Sequence, residues 1–147
     1  MFKFRFETLL VARRHAEEYL QKELADARRD LSAAQALLRE KKSVRRQCLQ
    51  EQRRRQRQSF RGPDMLLFQA YLQRLERDID SQQKLVTSAE RKTQQKRQAL
   101  VEAVKKRKML ERLKERDRDK HLKTLAERER KFLDEVASRF HISNRPA

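Results

Sequence analysis

Apolar residues recur along most of this chain at alternating steps of four and three. In the first half they are Leu9, Ala12, Ala16, Leu20, Leu24, Ala27, Leu31, Ala34 and Leu38. From Leu20 onward the alternation is a heptad repeat, the mark of a coiled-coil seam. Two successive steps of four between Ala12 and Leu20 read as a local slip in register. Beyond Leu38 the seam thins to Val44, Cys48 and Leu49 among many charges. In the second half the seam is Phe68, Leu72, Leu75, Ile79, Gln82, Val86, Ala89, Thr93, Lys96, Leu100 and Ala103. Gln82, Thr93 and Lys96 are polar members, and such residues fix register at some cost in stability. After Leu110 and Leu113 the phase is lost among Glu115–Lys120. It resumes as Leu125, Phe132, Val136 and Phe140.

Between the two patterns stands Ser59-Phe60-Arg61-Gly62-Pro63-Asp64, which holds the chain's only glycine. Gly62 suits the left-handed residue that ends a helix, and Pro63 cannot continue one. Pro63 fits the first turn of a new helix, where Asp64 also meets the positive end of the dipole. The pattern predicts an all-α fold: a long antiparallel two-helix coiled-coil hairpin whose second helix is the longer. Its expected parts are a first helix over about 4–59, a turn over about 60–63, a second helix over about 64–140, and a short tail over 141–147. A single kinked helix is the competing reading, but its apolar stripe would need a second chain to cover it. Folding about Gly62 pairs positions whose numbers add to about 124. Leu49 then faces Leu75, Leu38 faces Val86 and Leu24 faces Leu100. The second helix would extend about five turns past the first, carrying Leu125, Phe132, Leu133, Val136 and Phe140. That stretch is either an interaction site or covered in part by Phe2, Phe4 and Phe6.

Composition supports long helices over a globule. Of the 147 residues, 41% are charged and 37% hydrophobic, with one Gly, two Pro and no Trp. Disorder shares that composition, but the heptads and helix-spaced pairs such as Glu18–Lys22, Glu102–Lys106 and Glu127–Lys131 argue for helix. The formal charge of +17 invites polyanions: nucleic acid, an anionic membrane surface or an acidic protein. Arg39 to Arg61 carries ten basic and two acidic residues, and Arg91 to Lys123 fourteen and five. Each run is either a solvated face or a contact for an acidic partner.

Little enzymatic chemistry is available. A phosphate-cradling loop needs several glycines, and this chain has one. His15, His121 and His141 are far apart, with no cluster at metal-ligand spacing. A two-helix hairpin offers no pocket that excludes water, so no cofactor and no small-molecule substrate are expected. Cys48, the only cysteine, reads as a small seam residue. No apolar run reaches the length of a membrane span. The N-terminus alternates phenylalanines with basic residues and lacks the apolar core of a secretory signal. A cytoplasmic location follows as the expectation, with an anionic membrane surface as one candidate partner.

The run Phe4-Arg5-Phe6-Glu7-Thr8-Leu9-Leu10-Val11-Ala12-Arg13-Arg14, followed by Ala16-Glu17-Glu18, resembles the opening of the flagellar FliJ family. Tyr71-Leu72-Gln73-Arg74-Leu75-Glu76-Arg77-Asp78-Ile79 is similar to that family's second-helix start. The stalk proteins of injectisome-type secretion systems share the architecture. This chain departs from the family in being unusually basic, and in having Val44 and Cys48 where some relatives carry tyrosines.

The resemblance implies a non-enzymatic, cytoplasmic component of the flagellar type III export apparatus. It would act as the central stalk of the export ATPase hexamer and link it to the cytoplasmic domain of the export gate. Export chaperones are further candidate partners, and the inner face of the cell membrane a candidate location. Candidate ATPase contacts are Arg13, Arg14, Glu17, Glu18, Phe132, Val136 and Phe140. Candidate gate contacts are Tyr71, Leu75, Asp78 and Gln82. For the charged residues ordinary surface charge is the competing reading. For the three apolar ones it is burial against Phe4 and Phe6, and for Leu75 it is the seam. The second functional reading is a basic coiled coil that binds nucleic acid or serves as a scaffold. It draws on the phosphate backbone alone, because no aromatic residues interleave with the basic runs for base stacking.

Overall fold

A computed structural model describes residues 1–58 and 62–144. It contains two helices, α1 over Glu7–Arg57 and α2 over Gly62–Ser143, of 51 and 82 residues. They pack as an antiparallel hairpin, with the second helix the longer. Both consist largely of Ala, Leu, Glu, Lys, Arg and Gln, which lose little side-chain freedom in a helix. Glu7 lies in the first turn of α1 and Arg54, Arg55 and Arg57 in its last, each sign matching the dipole. At the far end of α2, Ser143 Oγ donates to the carbonyl of Phe140, as does the backbone N–H of Asn144. Of the expected break and tail, Ser59, Phe60, Arg61, Arg145, Pro146 and Ala147 lie outside the described residues.

Gly62 departs from its expected part. It is the first residue of α2, and its φ is not positive. It therefore opens the second helix instead of closing the first in a left-handed turn. The adjoining Pro63 sits where a missing backbone N–H costs nothing, and Asp64 occupies the first turn.

The residues gather into two compact units, Met1–Glu17 with Glu102–Ala147, and Glu18–Val101. In the Glu18–Val101 unit, Leu38, Ile79 and Val86 form a buried cluster with Leu31 and Ala34 against it. Leu24, Ala27 and Cys48 are also buried. Polar seam residues cross between the helices here. The Gln82 amide donates to the carbonyl of Ala34 at 3.0 Å, and the Thr93 hydroxyl lies 3.3 Å from the carbonyl of Ala27. Lys96 Nζ meets Glu23 Oε2 at 2.6 Å. These pairs fall a few positions short of a register centred on Gly62, because α1 ends at Arg57 and Gly62 already belongs to α2.

In the other unit the seam is held mostly by charge. Arg107 binds the Glu17 carboxylate and, at 2.9 Å, Glu111. Arg14 lies 3.6 Å from Glu111, and Lys114 2.9 Å from Glu7. Leu10 is fully buried and Phe4 nearly so, whereas Leu9 is exposed. Ala12 and Ala16 are exposed too, while Arg13 and Glu17 are half-buried. The expected slip between Ala12 and Leu20 is therefore absent. The heptad runs back from Leu24 through Leu20, Glu17 and Arg13 to Leu10 without a break. On α2 it continues through Arg107, Leu110, Lys114 and Asp117 to His121, across the stretch where the apolar pattern fails.

Candidate partner-binding surfaces

Three surfaces are left after the seam is accounted for. The first belongs to the unit that contains the N-terminus. Phe2 meets His121 with the rings tilted and their centroids 5.6 Å apart, and Phe4 meets Phe6 edge to face at 5.9 Å. That aromatic cover stops at His121. From Leu122 to Asn144 every residue of α2 and its end is exposed. Phe132 is 65% exposed and Phe140 68%. Burial of Phe132, Val136 and Phe140 against Phe4 and Phe6 is thus overturned: all three are exposed, Phe4 meets Phe6 instead, and Phe2 meets α2 at His121, short of Phe132. Leu125, Phe132, Val136 and Phe140 follow one another at steps of seven, four and four, which puts them on one helix face.

The four charged candidates divide by direction. Glu17 points into the seam, where Arg107 covers it. Arg13 shares that seam period and is half-buried. Arg14 is exposed and reaches Glu111, and Glu18 is exposed. Glu17 first and Glu111 second hold Arg107 more firmly in its charged form than an ordinary arginine. This is a chain of alternating charges inside a helix pair, and it can hold register as well as meet a partner.

The second surface lies in the Glu18–Val101 unit near the reversal. An open groove of about 570 Å³ is lined by Val44, Gln47, Cys48, Glu51, Leu67, Phe68 and Tyr71. A plain two-helix seam was not expected to leave such a concavity. It exists because Val44 and Cys48 are small beside the Phe68 ring, which also receives the Arg55 guanidinium at 5.3 Å. Burial raises the Cys48 thiol pKa, which keeps it neutral at ordinary pH. Tyr71 stands 48% exposed on the groove's edge, and Leu66 and Leu67 are exposed nearby on α2. Leu75 is half-buried and Asp78 exposed. Gln82 differs from the other gate candidates: it is 3% exposed and its amide is committed to Ala34. It belongs to the seam and not to the outward face, because its place in the heptad points it at α1.

The third surface is a cationic side of α1, with Arg39, Lys42, Arg45 and Arg46 lining one concavity. No helix among the described residues is long and apolar enough to cross a membrane.

A sequence-family model described as flagellar FliJ protein matches residues 2–146. A solved structure of a YscO homologue, CT670 from Chlamydia trachomatis, superposes with a TM-score of 0.71 at 22% identity. The match covers 99% of this chain and 100% of that one. At that identity the likeness bears on the fold: the same two-helix hairpin. No curated protein sequence matches the chain.

Proposed function

This chain belongs to the flagellar FliJ family, a family of the type III export apparatus, and on that premise we propose that it is the non-enzymatic central stalk of an export ATPase ring. The observation that carries the proposal is the uncovered apolar face of α2, Leu125, Phe132, Val136 and Phe140. A face of that kind at the end of a long helix is suited to insertion among apolar residues of another assembly. A single hairpin in a six-fold ring cannot touch every subunit alike. It favours one conformation in the subunits it contacts and so biases the ring's equilibrium toward assembly and hydrolysis. Arg14 and Glu18, both exposed on α1, are candidate polar contacts, while Arg13 and Glu17 are half-buried in the seam beside them.

The groove near the reversal supports the second half of the role. Tyr71, with Leu75 and Asp78, offers a mixed apolar and acidic face for the cytoplasmic domain of the export gate, and the groove offers a second apolar seat for an export chaperone. The protein then works on the cytoplasmic side of the cell membrane, joining ring to gate. Mixing the purified chain with the export ATPase tests the proposal. ATP hydrolysis should rise with added protein and saturate. A rate that ignores saturating protein would remove the stalk role while leaving the family intact.

A further inference from the structure

The cationic side of α1 plays no part in the stalk role proposed above. Arg39, Lys42, Arg46, Arg53 and Arg57 are all exposed. Their steps of three, four, seven and four keep them on one helix face. At helical rise the line is about 27 Å long. Among the described residues no carboxylate lies within ion-pair distance of any of the five. Glu51, the nearest acidic side chain that makes ion pairs, is engaged with Arg54 and Arg55 on another face. The first stretch of α2, residues 62–90, carries five acidic side chains against three basic ones, so it does not add to the stripe's charge.

We infer that this stripe is a docking surface for anionic phospholipid headgroups. Two observations favour lipid over other partners, and a third makes lipid binding compatible with the groove. First, the stripe has no aromatic residue, so it offers no stacking platform for nucleotide bases. Second, a protein interface draws its strength from buried apolar and aromatic anchors, and this face provides only the half-buried Leu49. A layer of headgroups needs neither; it meets a straight row of cations all at once. Third, the groove that carries Tyr71 is lined from α1 by Val44, Gln47, Cys48 and Glu51, which lie on the opposite side of the helix from the stripe. Adsorption through the stripe therefore leaves the groove open to a protein. With no exposed apolar residue in the row, adsorption is electrostatic, reversible and salt-sensitive, as expected when only one of two anchoring signals is present.

The inference goes beyond the stalk role and does not depend on it, because the test contains no export component. The full chain is sedimented with vesicles of phosphatidylglycerol and phosphatidylcholine at about 0.1 M salt, where surface charge still acts over roughly 10 Å. Binding should appear with the mixed vesicles, vanish with phosphatidylcholine alone, and fall steeply with added salt. Replacing Arg39, Lys42, Arg46, Arg53 and Arg57 by Gln should weaken it roughly a hundredfold or more. Replacing Arg91, Arg97, Lys106, Lys108 and Arg112 by Gln removes the same charge elsewhere and should cost far less. A stripe with its four arginines changed to Lys should still bind, and circular dichroism of each variant checks that the helices persist. Equal loss in both Gln variants would overturn the inference by showing diffuse attraction. So would binding of duplex DNA through the stripe with none to the mixed vesicles.

Discussion

The side-chain amide of Gln82 donates to the main-chain carbonyl of Ala34 across the seam, at 3.0 Å and 48 positions away in sequence. Ala34 flanks the cluster of Leu38, Ile79 and Val86, so a polar tie sits beside the best-packed apolar layer. The tie costs burial energy and specifies one alignment of the helices. Gln82→Leu is expected to raise thermal stability by about 1 kcal/mol while permitting alternative registers or oligomers. Calorimetry with light scattering checks both effects. Tyr71→Ala should instead leave stability unchanged and weaken capture of the gate domain. A loss of gate binding in Gln82→Leu with an intact monomer would return Gln82 to the contact surface.

Charge does similar work in the N-terminal unit. Glu17 keeps 12% of its side chain exposed and Arg107 23%. Glu17→Gln leaves Arg107 with Glu111 alone, and the melting temperature should fall. Adding Arg107→Met to that variant should recover much of the loss, since it removes the partly buried charge that has lost one of its two partners. Thermal denaturation of both variants and of the double variant measures the coupling.

How far the amino-acid sequence reveals this molecule depends on what each residue was asked to do. The break, the two helices and the antiparallel pairing follow from periodicity and one Gly-Pro step. The seam between Leu20 and Leu38 and between Phe68 and Ala103 is legible because apolar residues occupy the heptad. Nearer the N-terminus that rule misleads. Leu9, Ala12 and Ala16 are apolar and exposed, while Glu17 and Arg13 take the inward positions. Period outranks polarity there, because a continuous helix pair cannot slip its register without unpacking Leu10. Extending the strict three-four alternation through charged residues would have found Glu17, Lys114 and His121. The groove beside Val44 and Cys48 was not legible, because it arises from side-chain volumes on two helices at once.

The assignment of Gly62 to the start of α2 has a sign that can be measured. Apart from its chain neighbours and the nearby backbone of its own helix, no atom stands within 4 Å of where a Cβ would be placed at this residue. Gly62→Ala should therefore stabilise the protein by about 0.4–1 kcal/mol, by limiting the unfolded chain. A left-handed Gly62 would give destabilisation instead. Urea titration separates the two outcomes.

Acid should loosen the seam at Glu23. Hydrogen bonds from Lys96 and then Tyr19 hold its carboxyl below the ordinary carboxylate value. A depressed carboxyl contributes stability above its unfolded value and loses it as pH falls through the folded one. Lys96 has the opposite sign: its raised pKa, caused first by Glu23, stabilises below the ordinary lysine range and fades as pH rises through it. The melting temperature should be flat near neutrality and decline on acidification through the carboxylate range. Glu23→Gln should flatten that decline. An unchanged profile in this variant would show that other carboxylates govern acid unfolding.

The stalk role rests on the bare face of α2 beyond His121, and one rate measurement addresses it directly. Phe132→Ala, Val136→Ala and Phe140→Ala combined remove exposed side chains, so helicity and melting temperature should be unchanged. Stimulation of the purified export ATPase by this triple variant, compared at saturating concentration with the native chain, is the deciding quantity. Most of the stimulation should disappear. Full stimulation by the triple variant would remove the stalk role from this face.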